Sequence, residues 1–277
     1  MIAIGKVNPL RVVKWVDFGI YLDGTPYGEI LMPGRYVPEG TKPGDVLDAF
    51  IYLDSEDRII ATTERPKAMV GEFACLEVVG VSGAGAFLDW GLPKDLFVPF
   101  REQRQKLNMG QQVPVYIYLD ESTNRIVASA KPEKFLDRLP IEFLEGDEVD
   151  LMILGETDLG FKAMINGTHT GMLYRNEVFQ PLHAGEKLKG YVKFIRTDRK
   201  TDLILQKPGY EKVEDISAQL LAFLSANEGF SPLTDKSSAE EIYSALQISK
   251  KTFKKAIGGL YKARKIALLP NGIQLIQ

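Results

Sequence analysis

The stretch Phe18-Gly19-Ile20-Tyr21-Leu22 returns twice along the chain in altered form, as Ala84-Gly85-Ala86-Phe87-Leu88 and as Leu159-Gly160-Phe161-Lys162-Ala163. The spacing around these glycines is constant. Gly5 to Gly19, Gly71 to Gly85 and Gly146 to Gly160 each span 14 residues; Gly19 to Gly44, Gly85 to Gly110 and Gly160 to Gly185 each span 25. With 25 glycines in 277 residues, a triple coincidence of this kind marks an internal repeat, and a repeat decides architecture before any single motif does. After the third glycine each copy carries an alternating β-type segment: Val46 to Leu53, Val113 to Leu119 and Leu188 to Ile195. A polar turn, another apolar run and a proline close it, from Arg58 to Pro66, Arg125 to Pro132 and Leu203 to Pro208.

Each copy reads as five short strands rich in Val, Ile, Tyr and Phe and bounded by Gly, Pro, Asp or Asn. A five-stranded unit of this size is expected to close into an OB-type barrel, which removes its sheet edges and needs glycine where strands bend. Glu64 to Lys67 separates the first two copies. Lys131 to Glu145 separates the next two, and Phe135, Leu139 and Phe143 at four-residue intervals predict helical character there. The acids of Glu145-Gly-Asp-Glu148 are adjacent rather than spaced as a coordination loop, so a solvated turn is expected.

From about residue 214 the period changes. Ala218 to Leu224 reads as a helix with one buried face; Ser238-Ala-Glu-Glu241 is a capping box opening a helix to Leu246. After the turn Gln247-Ile248-Ser249, with Ser249 as cap, a third helix runs from Lys250 to about Lys265 with Phe253, Ile257 and Leu260 inward. Asn271-Gly272 then predicts a hairpin turn, completing a winged-helix order. Residues 250–265 carry seven basic side chains and no acid, and Lys251, Lys255 and Lys262 fall on one stripe opposite the apolar face. Such a stripe suits phosphate contact, or equally a solvated face. Gly258-Gly259 in mid-helix costs about 1 kcal/mol per glycine and suggests close packing or a kink.

Composition sets the outer limits. A net charge of −3 provides no bulk basic field, so a polyanion would be held by local patches. One cysteine excludes an intramolecular disulfide or a Cys-cluster zinc site and suits the cytoplasm. No uncharged stretch reaches a membrane span, and the N-terminal residues lack the pattern of a signal peptide. Cys75 reads as a small buried side chain, and His169 and His183 as loop residues without a triad partner. No cofactor, metal or catalytic set is expected; Gly83-Ala-Gly85 lacks the third glycine of a dinucleotide fingerprint.

The three copies resemble the S1 RNA-binding domain, an OB-fold family. Its signature is an aromatic-Gly-x-aromatic strand, a Gly-x-Ile/Leu segment, Gly-Asp before strand four, and Asp then Arg around the last turn. Three S1-like copies followed by a winged helix resemble the conserved virulence factor B family of bacterial regulators. The resemblance implies a mainly β chain with a C-terminal α+β module: S1-like barrels at 1–66, 67–138 with its linker and 139–209 (degenerate), then a winged helix at 214–277. It also implies RNA binding and post-transcriptional control without enzymatic chemistry.

Carried onto this chain, the S1 ligand face of copy one comprises Phe18, Tyr21, Asp54 and Arg58, with Leu31 at the position usually held by histidine. Arg11, Lys14 and Trp15 would extend that surface. Copy two has Phe87, Asp120 and Arg125, with Ala84 in place of the first aromatic. Copy three has Leu159 and Lys162 at the aromatic positions and Ile195 at the acidic one, with Tyr174 near the histidine position and Arg199 in register with the arginine. Copy one is therefore expected to be the best site and copy three mainly structural. The chemistry is base stacking on exposed rings with an adjacent cation for phosphate. The leading expectation is a non-catalytic, cytoplasmic regulator that grips single-stranded RNA, with Lys251, Lys255 and Lys262 adding phosphate contacts to single strand or duplex. A docking scaffold for transcription, translation or decay machinery, and a winged-helix DNA regulator, are the alternatives.

Overall fold

The computed structural model describes residues 2–206, 213–246 and 248–276; Pro208 and Gln247 of the sequence reading lie outside them. Contacts divide the chain into two compact units, Met1–Arg138 and Leu139–Gln277. Three closed five-stranded barrels follow one another. The first is built from β1 (Val7–Val16), β2 (Gly19–Asp23), β3 (Glu29–Pro33), β4 (Val46–Leu53) and β5 (Ile59–Thr62). The second uses β6 (Phe73–Val81), β7 (Gly85–Asp89), β8 (Leu96–Pro99), β9 (Gln112–Asp120) and β10 (Arg125–Ser129). The third uses β11 (Glu148–Thr157), β12 (Gly160–Ile165), β13 (His169–Tyr174), β14 (Lys187–Ile195) and β15 (Thr201–Ile204). In each, the closed order is first, second, third, fifth, fourth, and the third and fifth strands pair in parallel.

The glycine that opens the second strand of each barrel is enforced by close approach. A Cβ on Gly19, Gly85 or Gly160 would stand 2.1, 2.2 and 2.1 Å from the carbonyl oxygens of Met32, Val98 and Leu173 on the neighbouring strand. No side chain fits there, so the repeat in the sequence is the imprint of one steric constraint met three times.

Alternation buries Leu10, Val12, Ile20, Leu22, Ile30 and Met32 inside the first barrel and Val149, Leu151, Ile153, Ala163 and Ile165 inside the third. Within unit 1, β4 departs from alternation. Ala49 and Ile51 face the first barrel's core, whereas Phe50 and Tyr52, equally buried, join the core cluster of the second barrel with Trp90, Leu92 and Leu96. Ile60 on β5 packs against the same cluster. The two barrels of unit 1 thus share apolar surface, consistent with the little that either buries alone.

The segment after β10 is not the helix that its apolar spacing predicts. It forms a single 3-10 turn, Pro132–Lys134, and Asp137 then adopts φ 58°, a left-handed backbone that no helix continues through. Phe135 stacks on Tyr116 at 4.1 Å, Leu139 is exposed, and Phe143 is buried in the third barrel. The three therefore never share a face.

The C-terminal part is a winged helix: α1 (Val213–Ala226), β16 (Phe230–Ser231), α2 (Ala239–Leu246), α3 (Lys250–Lys262), β17 (Ile266–Leu269) and β18 (Gly272–Leu275). The capping box forms as the sequence predicts, with Glu241 N donating to Ser238 Oγ at 3.1 Å and Ser238 N to Glu241 Oε2 at 2.7 Å. Ser249 caps α3 by accepting from Thr252 N. Phe253, Ile257 and Leu260 are buried. Arg264 at φ 55° stops α3 three residues short of the expected end. The wing turn is Pro270-Asn271, with Gly272 already in β18, because proline supplies the fixed φ that starts the turn. Apart from the helix's own backbone and the adjoining residues, no atom comes within 4 Å of a Cβ built on Gly258 or Gly259, so no other element packs closely there. Among the described residues, no helix is long and apolar enough to cross a membrane.

Candidate nucleic-acid interface

Outward-facing side chains repeat from barrel to barrel as the strands do. Register pairs Tyr21 with Leu31 and Leu31 with Ile60; Phe87 with Phe97 and Phe97 with Val127; Lys162 with Met172 and Met172 with Asp202. Leu31, Phe97 and Met172 are therefore equivalent. Tyr174 faces Gly160 as Pro33 faces Gly19 and Pro99 faces Gly85, so Tyr174 and Leu31 do not occupy the same place in their barrels.

In the first barrel, Phe18 is 60% exposed and meets Tyr21 edge to face at 6.5 Å. Lys14, opposite Tyr21 across the β1–β2 pair, lies 5.0 Å from its ring centroid and pairs with Glu29 at 2.6 Å. Trp15 donates its indole N–H to Thr41 O at 3.2 Å and faces away from that cluster. Asp54 and Arg58 do pair across the β4–β5 turn: Nε and Nη2 of Arg58 both lie 2.8 Å from Oδ2 of Asp54, and Nη1 lies 2.9 Å from Glu56. Partial burial works against ionisation of Asp54, yet the main-chain and side-chain hydrogen bonds from Arg58 hold its carboxyl below the usual value. In turn, the bond to Asp54 pushes Arg58 up.

The second barrel distributes its charges differently. Asp120 pairs with Arg101 at 2.9 Å and accepts from the Ser122 hydroxyl at 2.8 Å, so it does not orient Arg125. Arg125 instead crosses to the first barrel and pairs with Asp57. Lys94 reaches the same carboxylate at 3.4 Å and donates to Asp54 O at 2.5 Å. The bond from Arg125 holds Asp57 below the usual carboxylate range. Beside these groups Phe87 and Phe97 lie half-buried with centroids 5.2 Å apart. Together with Trp90, Leu53 and Ile126 they line a cleft of about 590 Å³ within unit 1, a size that accommodates a nucleotide-sized ligand. Phe97, Lys94 and Asp57 were missed in the sequence. Phe97 could have been found two residues before Pro99, outward between buried Leu96 and Val98.

In the third barrel Leu159 is exposed, Lys162 is half-buried and Ile195 contributes to the core. Arg199 occupies the left-handed position of the β14–β15 turn, at φ 64° with its side chain exposed. Arg196 is the residue that reaches Tyr174: its Nη2 donates to the phenol oxygen at 2.6 Å, its guanidinium lies 5.8 Å from the ring centroid, and Asp202 holds it at 3.0 Å. His169 is buried in β13 rather than in a loop, with Nε2 2.9 Å from Leu139 O and Nδ1 2.9 Å from Thr168 Oγ1. Cys75 is half-buried rather than buried, 3.9 Å from Gln112 Oε1. On α3, Lys251, Lys255 and Lys262 are all exposed.

Comparison with known proteins agrees with this architecture. An S1 domain matches residues 4–64 and 70–131, and a CvfB-like winged helix domain matches residues 218–275. The YitL protein of Bacillus subtilis is 28% identical, covering 95% of this chain and 90% of its own length. Conserved virulence factor B of Staphylococcus aureus is 24% identical, covering 97% and 95% respectively. A solved Streptococcus pneumoniae multidomain protein with nucleic acid binding domains is 24% identical with TM-score 0.46, covering 99% of this chain and 98% of its own. The S1 domains support a nucleic-acid-binding role. With two S1 domains, a CvfB-like winged helix domain, and conserved virulence factor B of Staphylococcus aureus aligned over 97% of its length, the chain belongs to the conserved virulence factor B family.

Proposed function

We propose that this protein binds single-stranded RNA and acts in the cytoplasm as a non-catalytic, post-transcriptional regulator. The observation that carries this reading is the Phe87–Phe97 pair, two half-exposed rings 5.2 Å apart in a cleft edged by Lys94 and Arg125. Unstacked bases offer a flat π-face to such rings, while duplex bases do not. Phe18 and Tyr21 beside Lys14, with Arg58 and Asp54 at the end of the same barrel, form a second stacking surface. Tyr174 with Arg196 forms a third, smaller one, to which Arg199 adds charge. Asp120 acts by fixing Arg101, and Lys251, Lys255 and Lys262 supply sequence-independent phosphate contacts. Linked modules raise overall affinity through effective concentration.

Filter binding of single-stranded RNA, duplex RNA and duplex DNA at two salt concentrations tests this. A preference for single-stranded RNA is the expected result. A preference for duplex DNA would transfer the function to the winged helix, and no binding to any of the three would favour a protein-docking scaffold.

A further inference from the structure

Three acids sit on the β4–β5 turn of the first barrel, and they are used differently. Asp54 and Glu56 are both spent on Arg58 of their own turn. Asp57, held at φ 61°, carries its carboxylate to the second barrel, where Arg125 pairs with it and Lys94 lies 3.4 Å away. Lys94 and Arg125 are the cations that line the cleft beside Phe87 and Phe97, and Asp57 lines it with them. A carboxylate bound by a guanidinium and an ammonium reproduces what one phosphate of a nucleic-acid backbone would receive, since both anions offer planar or forked oxygens to charge-assisted donors.

We propose that Asp57 is an internal phosphate surrogate: it occupies the Lys94–Arg125 clamp in the free protein and is displaced when a backbone phosphate enters beside the stacked bases. The inference rests on reading the Phe87–Phe97 cleft as an RNA site. Displacement needs only the turn to move. Phe50, Tyr52 and Ile60, on the strands that flank it, are anchored in the shared apolar core and keep the two barrels together. The surrogate neutralises the clamp until a ligand with both a base to stack and a phosphate to place arrives, which disfavours simple polyanions.

The test uses the full chain and a fluorescein-labelled single-stranded oligouridylate. Asp57→Asn keeps the side-chain shape and removes the competing charge. Affinity is expected to rise about fivefold, the scale of one exposed ion pair no longer broken on binding. The dependence on salt should steepen by about 0.7, one further phosphate's worth of released counterion. Glu121→Gln, on the β9–β10 turn, removes an equal charge elsewhere and should leave affinity within about twofold. Adding Arg125→Ala to Asp57→Asn should abolish the gain. If the wild-type chain binds and Asp57→Asn does not tighten it beyond Glu121→Gln, Asp57 is a strut between barrels and the surrogate role is overturned. If neither protein binds the oligonucleotide, the RNA reading itself fails and the surrogate role falls with it.

Discussion

The edge of one ring meets the face of another where the two barrels of unit 1 join: Phe50 on β4 and Trp90 after β7 have centroids 5.9 Å apart at 77°. Both are almost wholly buried. Trp90 also donates its indole N–H to Lys94 O at 2.6 Å, so the ring that closes the joint also fixes the loop bearing a cleft cation. Phe50→Ala should destabilise unit 1 by about 3–5 kcal/mol, the usual cost of emptying a buried phenylalanine site. With both tryptophans of the wild type replaced biosynthetically by 5-fluorotryptophan, the separate fluorine resonances of Trp15 and Trp90 should report one coincident unfolding transition. In Phe50→Ala the two transitions should separate.

Stacking predicts a ranking within the cleft. Phe87→Ala or Phe97→Ala should each cost about 1–3 kcal/mol of affinity for single-stranded RNA in filter binding. Lys162→Ala, the equivalent change in the third barrel, should cost less than about 0.5 kcal/mol, because that side chain offers no ring. A change equal to that of Phe87→Ala would mean that the aromatic cleft is not where bases lie.

The lysines of α3 should behave as phosphate contacts rather than readers of sequence. Replacing Lys251, Lys255 and Lys262 together with alanine should weaken binding to unrelated sequences by the same factor. It should also lower the slope of log affinity against log salt by about 2. Thermal stability should change by no more than about 0.5 kcal/mol, since all three side chains are exposed. Titrations of two unrelated oligonucleotides across a salt series check both points.

What could be read in advance was whatever short-range chemistry dictates. The glycine repeat was legible because a Cβ at Gly19, Gly85 or Gly160 collides with a carbonyl of the adjacent strand, which leaves one residue type at one spacing. The capping box at Ser238 and the cap at Ser249 are contacts three residues apart, visible as letters three apart. Partner choice between distant charges was not legible. Asp120 and Arg125 stand close in the chain, yet their partners are Arg101 and Asp57, chosen by how the barrels meet. One clue was present: Ala49-Phe-Ile-Tyr52 is an unbroken apolar run, and a strand without polar alternation has both faces covered. The apolar spacing of Phe135, Leu139 and Phe143 misled because a left-handed Asp137 and Pro140 interrupt it.

Tyr52 links that covered strand to alkaline stability. Burial, reinforced by the neighbouring Tyr36, pushes its phenol up to about 12. An unfolded tyrosine ionises near pH 10, so between pH 10 and 12 the unfolded chain has lost a proton that the folded chain keeps. Fewer protons on the unfolded state make the slope of stability against pH negative, so stability is full below pH 10 and declines as pH rises toward 12. The loss attributable to this group should reach up to about 2 kcal/mol across that window. Tyr52→Phe removes the ionisable oxygen and keeps the ring against Phe50, 6.0 Å away. Denaturant unfolding at pH 8, 10 and 11.5 should therefore show a shallower alkaline decline in Tyr52→Phe than in the wild type. An equal decline in both would mean that water reaches this hydroxyl and that the joint between the barrels is more open than its buried rings indicate.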